Sequence, residues 1–404
     1  MEYKDFIPTT ELSTKIEKLK QVMKQKEYSA YEIGVMDHVW QRLLIYAEDN
    51  PSDKFNEEYR QQFITSVFSE AMESRDSMYR ITRAMNMLSD FITFKVIFRQ
   101  YCTLKTTFSE EFEKGFKGFI ASEKLRNLSD NTIKSIFIRL IRFHDYLIDI
   151  GIMNFSQITR QALNTYVLSL ARYSTTYTSE TLRILRKALD FAYKNNYCEE
   201  SLSDCIPHVK NLRQQKLPNI FTIDEINRIL DSVDRNNPIG KRNYAIILMT
   251  GKTGLRSSDI RTLKFENIDW DTKTINITQV KTKKYLSLPL LDDVGWAVID
   301  YLKHGRPETE CKNIFVSHAY PYGELTTLCS IMPKQMRKAG IKSPVNKRTG
   351  MHSFRSSLAT RMLEDDIPLT VVSQTLGHAD ITSTEVYLRI SIKQLAKCGL
   401  EVEL

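Results

Sequence analysis

No run of eighteen or so apolar residues occurs in these 404 residues, so nothing in the sequence has the length of a membrane-spanning helix. Met1 to Thr10 lacks the basic start and apolar core of a secretory signal, and the expected location is the cytoplasm. The 6 cysteines, Cys102, Cys198, Cys205, Cys311, Cys329 and Cys398, include no C-x-x-C pair. That argues against a zinc site and a disulfide framework, and reduced, mostly buried thiols are expected. Glycine and proline are also scarce, 14 and 11 in all, and between Glu11 and about Tyr197 they nearly vanish. One more glycine is missing where it would matter: Gly251-Lys252-Thr253 ends like a phosphate loop, but Ile246 stands where that loop needs its first glycine. This excludes an NTP-binding loop.

Lys and Arg number 57 against 49 Asp and Glu, a net charge of +8, which favours a polyanionic partner without proving one. With 42% hydrophobic residues the chain can bury sizeable cores, and its length suggests two to three domains. The turn-poor first half has helical periodicity, as in Ile133, Ile136, Phe137, Leu140, Ile141, Leu147 and Ile148. Helices are expected over Asn131 to Ile148, Thr159 to Ala171 and Ser179 to Asn195, with Ser129 and Asp130 suited to the first cap and Gly151 to the first break. Lys134, Arg139, Arg142, Arg160, Arg172, Arg183, Arg186 and Lys187 recur on them; taken singly, each is a solvated side chain.

Residues Ser29 to Phe91 match Ser129 to Phe191 at a shift of one hundred without a gap, with about sixteen identities that include Arg42 and Arg142, Tyr46 and Tyr146, and Asp90-Phe91 and Asp190-Phe191. Self-similarity at a fixed offset marks a repeated structural unit. Between Ser201 and Ile220, Pro207 and Pro218 signal a linker, and Thr222 with Glu225 then forms a capping box ahead of Ile226, Ile229 and Leu230. A helix is read over Tyr244 to Met249. After Leu263 the period changes to two: Thr274 to Thr278 and Tyr285 to Leu288 read as strands around Lys281-Thr282-Lys283-Lys284. Trp296 to His304 and Met332 to Gly340 read as structural helices, while His304 and His318 have no partners at metal or triad spacing.

The densest chemistry lies between Thr349 and Arg389. His352 and Arg355 stand one helical turn apart, His378 ends an L-G-H, and Tyr387 follows nine residues later. Cations and imidazoles ahead of one tyrosine suit a phosphorus centre and a phenolic nucleophile, whose unperturbed pKa of about 10 requires help in losing its proton. About a hundred residues upstream, Thr253-Gly254-Leu255-Arg256 supplies another arginine.

In these motifs, in this order and at these gaps, the chain resembles the tyrosine recombinase (phage integrase) family across about Leu128 to Arg389. The resemblance implies a site-specific recombinase that cuts and rejoins duplex DNA at specific sites through a 3′-phosphotyrosyl intermediate. It implies Tyr387 as nucleophile, Arg256 and Arg355 on the phosphate oxygens, His352 as general base and His378 as a hydrogen-bond donor to the phosphate. It places the catalytic lysine on the hairpin, where the spacing to Pro289 selects Lys281, with Lys283 and Lys284 as alternatives. Asp259, one turn beyond Arg256, would hold that guanidinium. No metal, ATP or other cofactor is implied, because the phosphodiester energy stays in the protein link. The family assembly is a homotetramer on DNA, open to an accessory DNA-bending or directionality factor.

The expected fold is mainly α with a small β-hairpin or sheet: an N-terminal helical domain over 1–106, a repeat of the core-binding fold; a helical core-binding domain over 107–200; a linker over 201–221; and a mixed α+β catalytic domain over 222–404. A tail from Ile390 to Leu404, with Ile392, Leu395 and Leu400 at helical spacing, suits docking on a neighbouring protomer. The alternatives are a type IB topoisomerase, which shares the chemistry but joins no two sites, a helical DNA-binding regulator without activity, and a structural DNA-bridging protein.

Overall fold

The computed structural model describes residues 7–69, 75–98, 107–209, 219–341, 350–378, 380 and 382–388, and it divides into two compact units, 1–213 and 214–404. The tail from Ile390, Cys102 and Cys398 lie outside the described residues, as does the linker stretch 210–218.

The first unit holds two helical bundles. Helices α1 (Leu12–Gln25), α2 (Ala30–Asp49), α3 (Glu57–Val67) and α4 (Arg75–Phe94) surround a core that includes Leu12, Ile16, Trp40, Leu43, Phe63 and Leu88. Helices α5 (Glu110–Lys124), α6 (Asp130–Asp149), α7 (Arg160–Ser169) and α8 (Thr175–Lys194) surround a second core rich in aromatic rings, among them Phe112, Phe116, Phe143, Tyr146 and Tyr166. The bounds of α2 and α6 differ by 100 residues at both ends, and so do those of α4 and α8. Ser29 and Ser129 cap α2 and α6 by accepting from the N–H groups of Glu32 and Thr132. Arg172 joins the bundles: its guanidinium lies 2.8 Å from the Asp90 carboxylate and donates to the Asn86 carbonyl at 2.7 Å. Burial raises the Asp90 carboxyl to about 6 against the pull of Arg172 and Arg60.

A cap and a 3₁₀ turn moved two of the expected boundaries. The helix expected from Ser179 begins at Thr175, because the Ser174 hydroxyl already accepts from the Tyr177 N–H. The helix expected to reach Ala171 stops at Ser169 and tightens into a 3₁₀ turn over Leu170–Arg172.

The second unit packs α9 (Ile223–Asp231), α10 (Pro238–Thr253), α11 (Ser257–Arg261), α12 (Asp292–His304), α13 (Ile331–Lys338), α14 (Met351–Glu364), α15 (Leu369–Thr375) and α16 (Thr382–Leu388) with one antiparallel sheet. That sheet has the order β1 (Ile268–Asp269), β2 (Thr274–Thr278), β3 (Tyr285–Pro289), with Ile275 opposite Leu288 and Ile277 opposite Leu286. These four side chains turn inward onto the main core, and the alternate residues face out. The fold is thus mainly α with a small sheet. The capping box of Thr222 and Glu225 opens α9. Helix α10 is much longer than Tyr244 to Met249: Asn237 caps it, Pro238 begins it, and its buried Ile246, Ile247 and Met249 put it at the centre, against α12 and α14. Its interior Gly251 stays helical, and only Gly254, at φ +66°, makes the turn. Among the described cysteines Cys198 alone is buried, while Cys205 and Cys311 are half-buried and Cys329 is exposed, so the expectation of mostly buried thiols does not hold for them.

No helix among the described residues is long and apolar enough to cross a membrane.

Candidate active site

Gly254 sets the site's geometry. It ends α10 in the left-handed region, and a Cβ there would lie 2.8 Å from Leu376 Cδ2 and 3.0 Å from Leu358 Cδ2. Only glycine satisfies both the backbone angle and this close approach. The turn then buries Leu255 and places Arg256 at the cap of α11.

Arg355 projects from α14 and is 1% exposed. Its Nη1 donates to the Gly254 carbonyl and its Nη2 to the Leu376 carbonyl at 2.6 Å, so the arginine bridges the T-G-L-R turn and the L-G-H turn. Its Nε is buried without a protein partner among the described residues, a donor that is costly to leave unmade. Burial lowers its pKa to about 10, and the Arg256 charge adds to the drop, while Tyr387 and Asp259 oppose it. Arg256 is half-buried and reaches the Gly377 carbonyl with long contacts of 3.5 and 3.4 Å. The arginines of both sequence boxes therefore converge on the backbone of Leu376-Gly377.

Tyr387 lies on α16, 3% exposed, in a small apolar cluster with Ala359, Leu363, Val372 and Leu376. Its ring stacks on the His378 imidazole at 6.3 Å between centroids, 16° between planes. His378 is half-buried, its Nδ1 2.7 Å from Thr384 Oγ1. Burial pushes the His378 pKa down to about 4, helped by the charges of Arg355, Arg256, His352 and Lys281. His352 keeps an exposed surface, yet the protein around it lowers its pKa, followed by Arg355, Arg256 and Lys281. Both imidazoles are neutral at neutral pH. Above about pH 6.5 neither the folded nor the unfolded chain protonates them; as pH falls toward about 4 the unfolded chain binds a proton that folded His378 refuses. The folded state should lose stability through that window, and thermal melts of His378→Asn should show a shallower acid decline than wild type. Identical slopes would mean that the ring titrates normally.

Of the three hairpin lysines, Lys281 is the one whose charge acts on both His352 and His378. Lys283 occupies the left-handed position of the turn, at φ +55°, with an exposed side chain, and Lys284 Nζ donates to the His378 carbonyl at 3.3 Å. Asp259 does not hold Arg256 as expected. Its Oδ1 accepts from the Val280 N–H at 2.9 Å, so the backbone at the base of the hairpin takes this oxygen.

Sequence reasoning missed Gln279. It is fully buried, donates to the Leu376 carbonyl at 3.3 Å, accepts from the Thr282 hydroxyl, and lies so close to Gly377 that a Cβ there would fall inside its amide. Gly377, at φ +59°, therefore has two reasons to be glycine. The available signal was a polar residue continuing the inward alternation of Ile275 and Ile277. Thr384 was missed as well; nothing local separates its hydroxyl from those of Thr382 and Ser383.

A model of the phage integrase family matches residues 219–394, and over 187 residues the chain is 38% identical to a putative integrase/recombinase, y4gC, of Sinorhizobium fredii, covering 46% of this chain and 96% of that one. The chain belongs to the phage integrase family. A second Sinorhizobium fredii protein, the putative integrase/recombinase y4rA, is 32% identical over 54% of this chain and 52% of its own length. The tyrosine recombinase XerD of Staphylococcus epidermidis is 27% identical over 289 residues, 70% of this chain and 95% of that one. Among solved structures, the XerH recombinase bound to palindromic difH in its post-cleavage complex aligns with a TM-score of 0.55 at 16% identity over 98% of both chains. A lambda integrase dimer bound to a COC′ core site aligns with a TM-score of 0.53 at 15% identity, over 72% of this chain and 98% of that one. These two share the fold. The chain is a tyrosine recombinase, an enzyme of site-specific DNA recombination, and nothing in these likenesses favours a topoisomerase or an inactive regulator.

Proposed function

We propose that Tyr387 is the nucleophile of this recombinase and that Arg256, Lys281, His352, Arg355 and His378 complete the catalytic site. The Tyr387 oxygen attacks a backbone phosphorus of duplex DNA, the bond from phosphorus to the 5′ oxygen breaks, and a 3′-phosphotyrosyl link forms. The Tyr387 proton passes to His352, whose lowered pKa leaves it unprotonated and able to accept at neutral pH. Lys281 gives a proton to the leaving 5′ oxygen. Arg256 and Arg355 meet the non-bridging oxygens, where charge builds up in the transition state, and His378 donates to one of them. The observation that carries this reading is the bridge made by Arg355, which ties the two boxes together beside the buried Tyr387 ring.

The partner is duplex DNA carrying specific recombination sites, and the working assembly is a homotetramer. Support comes from the lambda integrase tetramer bound to a Holliday junction and from XerH bound to its difH substrate. Both helical bundles of the first unit are assigned to DNA or synaptic contact. The matched bounds of α2 with α6 and α4 with α8 support the first bundle, residues 1–106, as a repeat of the second, 107–200, ahead of a 201–221 linker and a catalytic domain from 222. The enzyme acts in the cytoplasm, and its assembly is open to an accessory DNA-bending or directionality factor.

The chemistry is tested on a nicked suicide substrate, where wild type should leave a covalent protein–DNA band. Lys281→Ala should slow that cleavage by about a hundredfold while leaving DNA binding intact. A substrate with a 5′-bridging sulfur, which leaves without an acid, should restore most of the rate. Rescue of Lys283→Ala or Lys284→Ala in place of Lys281→Ala would move the acid along the hairpin, and no covalent band from wild type would refute the mechanism.

A further inference from the structure

The imidazole of His378 is held by a residue to which the mechanism gives no part. Thr384 has no exposed surface, and its Oγ1 lies 2.7 Å from His378 Nδ1. The backbone of His378 is fixed separately, its N–H donating to the Ser373 carbonyl at 3.0 Å and its carbonyl accepting from Lys284. Stacking on the Tyr387 ring restrains the plane of the imidazole but not its proton. Thr384 is the described side chain within hydrogen-bonding distance of the ring nitrogen Nδ1.

A neutral imidazole carries one N–H, and the nitrogen that holds it decides whether the ring donates or accepts at the other edge. His378 is surrounded by Arg355, Arg256 and Lys281, and the anion that these cations attract needs a donor from the ring. With Nδ1 engaged by Thr384, Nε2 is the atom left for that anion. A threonine hydroxyl can donate as well as accept, so a bond from Oγ1–H to the Nδ1 lone pair puts the ring proton on Nε2. The opposite tautomer would turn the Nε2 lone pair toward phosphate oxygen, a repulsive contact.

We propose that Thr384 is a positioning residue of the recombinase: its hydroxyl donates to Nδ1 of His378 and holds the ring as the Nε2–H tautomer that donates to the scissile phosphate. The inference rests on the reading of His378 as a phosphate donor.

The tautomer is read directly by long-range proton–nitrogen NMR of the full-length protein with ¹⁵N-labelled histidine, the His378 signal being assigned from its loss in His378→Ala. Wild type and Thr384→Ser should show a protonated Nε2 and a bare Nδ1, while Thr384→Val should lose that preference. On the suicide substrate, Thr384→Val should cleave about ten- to a hundredfold more slowly, and Thr384→Ser should recover most of the rate. In a His378→Ala background the Val substitution should add nothing, because its whole effect runs through the imidazole. A protonated Nδ1 in wild type, or an equal loss on adding Thr384→Val with and without His378, would overturn the assignment. A wild-type protein with the expected tautomer but no covalent DNA adduct would overturn the site reading instead, so the two failures are told apart.

Discussion

Tyr387→Phe should fold and bind DNA as wild type does and form no covalent adduct. The substitution keeps the ring that packs on Ala359, Leu363, Val372 and Leu376 and stacks on His378, and it removes one oxygen. Because the apolar packing of the ring is kept, the stability change should stay within about 1 kcal/mol, well short of unfolding. Phenylalanine has no atom that can bond to phosphorus, so the loss of adduct should be complete rather than graded. Electrophoresis of the suicide-substrate reaction under denaturing conditions, beside a binding assay on the same DNA, separates the two effects. A covalent band that survives the substitution would place the nucleophile elsewhere.

Arg355→Lys should lower cleavage by about a hundred- to a thousandfold, even though the charge is retained. The guanidinium reaches the carbonyls of Gly254 and Leu376 together, across a sequence separation of 122 residues given by 376 − 254, and its planar fork keeps further donors for a ligand. An ammonium on a flexible stem cannot span both carbonyls and also meet a phosphate in two places. The Leu376 carbonyl keeps the Gln279 amide as a donor, but the Gly254 carbonyl loses the guanidinium, and the fold should lose about 1–3 kcal/mol with it. Binding at low salt should persist, since it depends on many phosphate contacts. Single-turnover cleavage and a denaturant titration measure the two losses, and cleavage within threefold of wild type would show that Arg355 only braces the turns.

Much of this enzyme was determined by short-range signals that the sequence carries openly. Ser29, Ser129 and Thr222 cap helices because a side-chain oxygen three residues ahead of a backbone N–H needs nothing else to act. The hairpin follows from the alternation of Ile275, Ile277, Leu286 and Leu288, and Gly254 had to turn because it stands between a buried helix and the buried Leu255. The six proposed catalytic residues could be named from spacing and family resemblance. Other features were settled only by packing between segments far apart in the chain. Asp259 faces the hairpin rather than Arg256, and Gln279 rather than an apolar residue fills the gap at Gly377. The charge of Lys281, rather than that of Lys283 two residues on, acts on both imidazoles, although both lysines are exposed. A hydrogen-bond partner belongs to whichever group the close-packed core brings within about 3 Å, and a one-dimensional pattern cannot express that distance.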